Sequence, residues 1–211
     1  MENNINKHQI TVIPKPESIS FDMIQDLLKK AHESNQAKGL LYSTATLSAE
    51  QLKERIGDGI CLVALCDGKL AGTATISFRN LHYWYHNGPV ATLKLLGVSP
   101  EYKGMHLGSL LLEKRIEIAK EKNINVIVTD SAEQNLIVRN NNFKHGFSKV
   151  DYCTYAENNF YTVVYALWLN GCPHSKFSRW LHYNLKRFWI RLIYKPRKIK
   201  RFSMLTSLFK K

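Results

Sequence analysis

Apolar residues recur along this chain with two different spacings, and each change of spacing marks an element. Residues 8–13 (HQITVI) are rich in β-branched side chains and run into Pro14 and Pro16, which reads as a strand closed by prolines. From Phe21 the spacing lengthens. Phe21, Ile24, Leu27, Leu28 and Ala31 fall on one face of a helix that Ser20 can cap and that ends near Glu33. Residues 34–47 keep neither spacing and read as a loop. Ser48-Ala49-Glu50-Gln51 forms a capping box, with Leu47 and Leu52 set as a hydrophobic staple, so a second helix is predicted from Ala49 to about Ile56.

Strand spacing returns at Ile60–Leu65 and Leu70–Phe78, joined by Asp67-Gly68, a strong hairpin signal. Val90–Val98 follows Asn87-Gly88 and reads as the next strand, which leaves 79–89 as a loop. Gly108 to about Lys122 is helical, with Leu111, Leu112, Ile116 and Ala119 as a buried stripe. Asn125–Thr129 is a buried strand and Asn135–Lys144 a short helix. Ser148–Tyr155 and Tyr161–Leu169 close the series across Glu157-Asn158-Asn159. The order β-α-α-β-β-β-α-β-α-β-β predicts an α/β fold with a mixed, mostly antiparallel central sheet flanked by helices. It does not predict a doubly wound parallel sheet.

A last helical stretch, 176–195, has a different character. Phe177, Leu181, Leu185, Phe188, Trp189 and Leu192 share one face, while Lys176, Arg179, Lys186 and Arg187 lie opposite with Arg191 near the flank. Pro196 stops it, and a polybasic run follows through Phe202. Charge separates this part from the rest. The chain carries a net +13, yet all 17 acidic residues precede Cys172 and 12 of the 30 Lys and Arg follow it. Residues 1–172 therefore read as a near-neutral folded domain and 173–211 as a basic amphipathic tail. Cations opposite Trp, Phe and Leu suit the interface of an anionic membrane, through 176–202. The alternatives are an apolar face packed on the domain or on a partner, with the charge left in solvent, and a tail that binds nucleic acid. No apolar run is long enough for a spanning helix, and the polar start shows no secretory signal, so a cytoplasmic protein is expected, held peripherally at the inner face of the membrane. The four cysteines make no C-x-x-C pair, so neither a zinc site nor any other metal is expected.

The densest chemistry lies in residues 93–112, LKLLGVSPEYKGMHLGSLLL. An apolar strand turns at Ser99-Pro100, passes a short basic loop and enters a helix directly. Free amides at the start of a helix, with glycine letting the backbone come close, make an anion site. The loop is neither G-x-x-x-x-G-K-[ST] nor G-x-G-x-x-G. It resembles the GNAT superfamily of acyl-CoA-dependent N-acyltransferases, whose signature is Gln/Arg-x-x-Gly-x-Gly/Ala. Lys103 takes the Gln/Arg place, His106 the first Gly and Gly108 the last. The element order over about residues 8–169 resembles the same family.

That resemblance implies acetyl-CoA as acyl donor and a small-molecule or glycan amine (less often a hydroxyl) as acceptor, with direct attack in a ternary complex. It implies pantetheine pairing along Leu95, Leu96, Gly97 and Val98, with an oxyanion donor near the Val98 amide. It implies a pyrophosphate grip by Lys103, Gly104, Met105, His106, Leu107, Gly108 and Ser109. A second family signature, Asn-x-x-Ala-x-x-x-Tyr-x-x-x-Gly-Phe, places Asn135 at the Asn and Gly146-Phe147 at the end. Val138 stands for the Ala, and Asn142 stands where the family's thiolate-protonating Tyr belongs. His106 adds a side chain where backbone should meet pyrophosphate. Either its φ is negative with the ring outward, or CoA binding is altered. No Glu lies on 90–98 to act as base. His82 and His86, in the aromatic stretch Leu81–His86, are the candidates, unless that stretch only covers a sheet edge. These departures keep open a second expectation, a degenerate GNAT-like binding module that no longer catalyses efficiently.

Overall fold

In the computed structural model, which describes residues 8–194, seven strands form one sheet in the order β1-β2-β3-β4-β5-β7-β6. The strands are β1 (Ile10–Pro14), β2 (Ile60–Cys66), β3 (Lys69–Tyr83), β4 (His86–Val98), β5 (Val126–Ala132), β6 (Ser148–Thr154) and β7 (Tyr161–Trp168). All neighbours are antiparallel except β4 and β5. The helices are α1 (Phe21–Ala37), α2 (Ala49–Ile56), α3 (Leu107–Glu121), α4 (Leu136–Lys144) and α5 (Lys176–Ile193). This is the mixed α/β sheet that the hydrophobic pattern predicts.

Alternation along β2 sends its side chains to two cores. Leu62 and Ala64 join Leu107, Leu111 and Leu112 of α3, whereas Cys61 and Val63 join Ile24 and Leu28 of α1 and Leu52 and Ile56 of α2. Helix starts follow the sequence signals. Ser20 Oγ accepts the Met23 N–H, and Ser48 and Gln51 form the full capping box.

The aromatic stretch departs from expectation. Residues 79–89 are not a loop: β3 and β4 pair out to Tyr83↔His86, and the hairpin turns at Trp84-Tyr85. Burial of Leu81 and Tyr85 holds this extension, together with Trp84 tilted against His182 (centroids 4.1 Å apart) and near His174 (5.3 Å).

α5 docks along the edge strand β6, and it does so with its basic side inward. Lys186 pairs with Asp151 (2.6 Å), and Arg187 (3.0 Å) and Arg191 (2.6 Å) both pair with Glu133. Tyr183 is its one buried residue. Phe177, Leu181, Leu185, Phe188, Trp189 and Leu192 are exposed. The expectation that the apolar face packs on the domain and leaves the charge in solvent is therefore reversed. Two acids under this helix, Asp151 on the edge strand and Glu133 just past the end of β5, supply the reason. Burial works against the charge of Glu133, but Tyr152, Arg191 and Arg187 hold its pKa below the usual range. The polybasic run after Pro196 lies outside the described residues.

Candidate active site

β4 contains one residue more than its partner can match. Thr75 faces Lys94 and Thr73 faces Gly97, so Leu95 and Leu96 share a bulge with no partner on β3. Leu95 has φ +55, unusual for a branched side chain, and its burial against α1 and α2 fixes it there. On the other side, β4 and β5 pair only from Val90↔Val126 to Leu93↔Thr129 and then part. The bulge and the parting open a cavity of about 280 Å³ between Thr92–Leu96 and Thr129–Ala132. Its polar backbone edges along Leu95 and Leu96 lack ladder partners on either neighbouring strand.

The basic loop stands beyond the end of β4. His106 is the N-cap of α3 and adopts the left-handed conformation (φ 57, ψ 16), with no side-chain cap bond. The outward-ring, negative-φ possibility is thus excluded: His106 holds the backbone of a glycine, and its ring is exposed. Gly104 also has positive φ, and a Cβ on either Gly104 or Gly108 would meet nothing within 4 Å. The loop is therefore an open backbone surface over the first turn of α3, as an anion cradle needs. Left-handed conformation costs a non-glycine residue about 1 kcal/mol. His106→Gly should accordingly raise Tm and tighten acetyl-CoA binding, as read by thermal shift and titration. Weaker binding in that variant would instead make the imidazole a phosphate ligand.

Of the residues named from sequence, Leu95, Leu96, Asn135, Val138 and Asn142 line the cavity. Asn135 caps α4, accepting the Val138 N–H (3.3 Å), and also donates to Tyr42 Oη (3.2 Å). Gly97 and Val98 pair with β3 beyond the bulge and do not line the cavity. Gly97 instead gives α1 its seat: a Cβ there would come within 2.8 Å of Leu28 Cδ2. Lys103, Gly104, Met105, His106, Leu107, Gly108 and Ser109 form the loop and first turn. Ser109 Oγ ties that turn to Asn141 of the cavity wall (2.7 Å). His82 and His86 stand apart from all of these. They flank the hairpin tip, where His82 bonds Asn87 and His86 Nε2 lies 3.2 Å from the Pro89 carbonyl oxygen, and neither lines the cavity.

Two charged side chains that sequence reasoning passed over, Asp130 and Arg115, also line it, beside Asn142 at the family's Tyr position. Asp130, near the end of β5, opens both onto this cavity and onto a smaller one of about 170 Å³ beside β6. Tyr155 Oη donates to its carboxylate (2.8 Å). Asp130 is exposed to solvent through the cavities, yet protein crowds around it, and this partial desolvation raises its pKa, opposed by the Tyr155 bond and by Arg55 and Arg79. Arg115, in the middle of α3, is 3% exposed and has no carboxylate partner among the described residues; Nε donates to the Leu111 carbonyl. Burial pulls its pKa down to about 9. Asn142 is 4% exposed, and its side-chain Nδ2 is buried without a hydrogen-bond partner. Cys153, on the smaller cavity, is a poor nucleophile because burial pushes its thiol up to about 11. An aromatic wall closes the larger cavity. Tyr42 stacks on His32 (4.7 Å) and tilts against Phe160 (4.7 Å), and burial lowers the His32 pKa to about 4, so that ring is neutral.

A bulged central strand parts from its parallel neighbour, and an open backbone loop stands at the head of the next helix. The model of the acetyltransferase (GNAT) family matches residues 21–147, and the chain belongs to that family. Solved structures agree on the fold. A protein of Acinetobacter baylyi described as an acetyltransferase is 20% identical, with 81% of this chain and 98% of that one covered and a TM-score of 0.61. The yncA protein of Salmonella typhimurium, solved with its cofactor acetyl-CoA, is 16% identical (80% and 98% covered, TM-score 0.58). The ribosomal-protein-S18-alanine N-acetyltransferase of Escherichia coli is 15% identical (79% and 98% covered, TM-score 0.58). No curated protein matches the chain.

Proposed function

We propose that this protein transfers an acetyl group from acetyl-CoA directly to an amine, with Asp130 as the general base. The observation that carries this reading is Asp130 itself, a carboxylate of raised pKa, oriented by Tyr155, at the junction of the two cavities. The residues present fit acetyl-CoA: an open amide cradle at Gly104–Gly108, unpaired backbone at Leu95 and Leu96, and a buried amide without a partner at Asn142.

Acetyl-CoA supplies an activated acyl carbon and a thiolate leaving group. Asp130 takes the proton that the amine loses as it attacks that carbon. The bulge at Leu95–Leu96, in place of Val98, offers an N–H to the carbonyl oxygen. Asn142 cannot deliver a proton, but its Nδ2–H can donate to the sulfur as the carbon–sulfur bond breaks. Arg115 adds a positive charge in a low-dielectric site, where a developing thiolate feels it strongly. This pair replaces the missing Tyr by electrostatic stabilisation rather than by acid catalysis. Acetyl-CoA should raise Tm through ligand linkage. No shift at millimolar acetyl-CoA would favour the degenerate binding module.

We further infer that α5 holds the enzyme peripherally on an anionic membrane, at the cytoplasmic face. Its outward row of Phe177, Leu181, Leu185, Phe188, Trp189 and Leu192 has no protein cover among the described residues, and the basic run after Pro196 supplies the charge. Phe, Trp and Leu on the outer side suit lipid better than nucleic acid, whose backbone takes cations. The full chain should sediment with phosphatidylglycerol vesicles at low salt. Phe188→Glu with Trp189→Glu should abolish this without lowering Tm, since both side chains are exposed. Equal sedimentation of that variant would sink the idea.

A further inference from the structure

Three cations with no carboxylate partner line the two cavities onto which Asp130 opens. Arg79 lies on β3 opposite Val90, Lys94 on β4 opposite Thr75, and Arg55 at the end of α2. Arg79, Thr92, Val128 and Asp130 line the smaller cavity; Arg55, Lys94 and Asp130 line the larger one. None of the three cations makes an ion pair among the described residues. Arg55 Nη1 donates to Ser43 Oγ (3.3 Å), Arg79 Nε to Thr92 Oγ1 (3.1 Å) and Lys94 Nζ to the Arg55 carbonyl (2.6 Å). These bonds aim the groups but leave their charge uncompensated. The other charged groups on this face, Asp151 and Lys186, neutralise each other. Burial first, then Arg55 and Arg79, lower the Lys94 pKa, as expected for cations gathered without an anion.

Three cations against one carboxylate leave an excess of two positive charges where an acceptor would lie. A carboxylate would offset half of that; a phosphate monoester or a diphosphate would offset all of it. We propose that the acceptor is an amine carried on a phosphorylated molecule. Its amine meets Asp130, and its phosphate meets Arg55, Arg79 and Lys94. The two arginines offer planar forks that fit phosphate oxygens, and Lys94 adds a point charge. This assignment rests on the reading of Asp130 as the base for an amine.

The test uses the full chain and inorganic pyrophosphate. Acetyl-CoA is first added to saturation, which fills the cradle at Gly104–Gly108. Pyrophosphate should then raise Tm further. The triple variant Arg55→Gln, Arg79→Gln, Lys94→Gln should keep the acetyl-CoA shift and lose the pyrophosphate shift. Arg79→Gln alone, an exposed change, should reduce it where the triple variant does not fold. No further shift in the native chain, or an undiminished shift in the variants, overturns the proposal. Absence of the acetyl-CoA shift would count against the acetyltransfer reading instead, while the pyrophosphate arm still reports on the anion site. Phosphoethanolamine in solution and phosphatidylethanolamine in phosphatidylcholine vesicles present the same amine and phosphate from two sources. Competition with pyrophosphate by the first indicates a soluble acceptor, and by the second a membrane-borne one. Competition by neither overturns the pairing of amine with phosphate.

Discussion

Asp130→Asn should lower kcat by about 10²–10⁴-fold, the usual worth of a positioned general base. Acetyl-CoA binding should be unchanged, because the cradle at Gly104–Gly108 is separate from β5. The pH profile provides the sharper check. Burial raises the Asp130 pKa, so the acid limb of kcat/KM should lie above the ordinary aspartate value of about 3.9. Stability should move the other way from activity. A carboxyl whose folded pKa is raised contributes stability that is fully present below its unfolded pKa and is lost as pH rises through the folded pKa. Asp130 is exposed to solvent, so the cost of its ionisation to the fold at pH 7 is small, and the Asn variant should melt no lower than the native chain. A residue with a purely structural role would give a lower Tm. Tyr155→Phe should cost less activity and shift the acid limb upward, since the Tyr155 hydrogen bond works to lower the Asp130 pKa.

Arg115→Met should make the protein more stable and the enzyme slower. The guanidinium is almost fully buried, and only Nε has a partner, the Leu111 carbonyl. Replacing a buried charge by an apolar chain of similar length commonly gains about 1 kcal/mol or more. If Arg115 stabilises the departing thiolate, kcat should fall about tenfold to a hundredfold while KM for acetyl-CoA stays level. Asn142→Leu should behave similarly, since it removes a donor that already lacks a partner. Acetyl donors with more acidic thiols need less help at the sulfur, so the defect of both variants should shrink with them. A defect that is constant across donors would return Arg115 to the core.

Much of this architecture is legible in the pattern of apolar residues. The order of elements from β1 to β7, the capping of α1 and α2 and the strand–loop–helix at residues 93–112 all follow from local signals. What escaped depends on partners distant in sequence. Asn87-Gly88 looks like a hairpin turn, but burial of Tyr85 and the cover of His174 and His182 from the C-terminal segment move the turn to Trp84-Tyr85. A helical wheel tells which residues of α5 share a face. It does not tell which face the domain will accept, and here Glu133 and Asp151 select the basic one. At the site, Leu96 and Asn135 are named from the family resemblance and line the cavity, whereas the bulge at Leu95 and Leu96 is not legible, because one extra residue leaves no mark in apolar spacing. Asp130 reads locally as the polar end of a strand. Its role emerges only when β4 and β5 part and Tyr155 arrives from the end of β6.

The inward basic face of α5 also settles how the chain can be divided. The family's shared region ends at Phe147, but Asp151 lies beyond it with its side chain 6% exposed, and its cation is Lys186. A protease cut before Lys176 would strand that carboxylate with no counter-charge, and Glu133, just past the end of β5, with it. β6 would then present both an unpaired edge and an orphaned Asp151. The folded unit is thus longer than the stretch that the family model matches. A truncation at the end of that stretch should destabilise the protein, whereas one placed after Ile193 would leave the ion pairs of α5 intact.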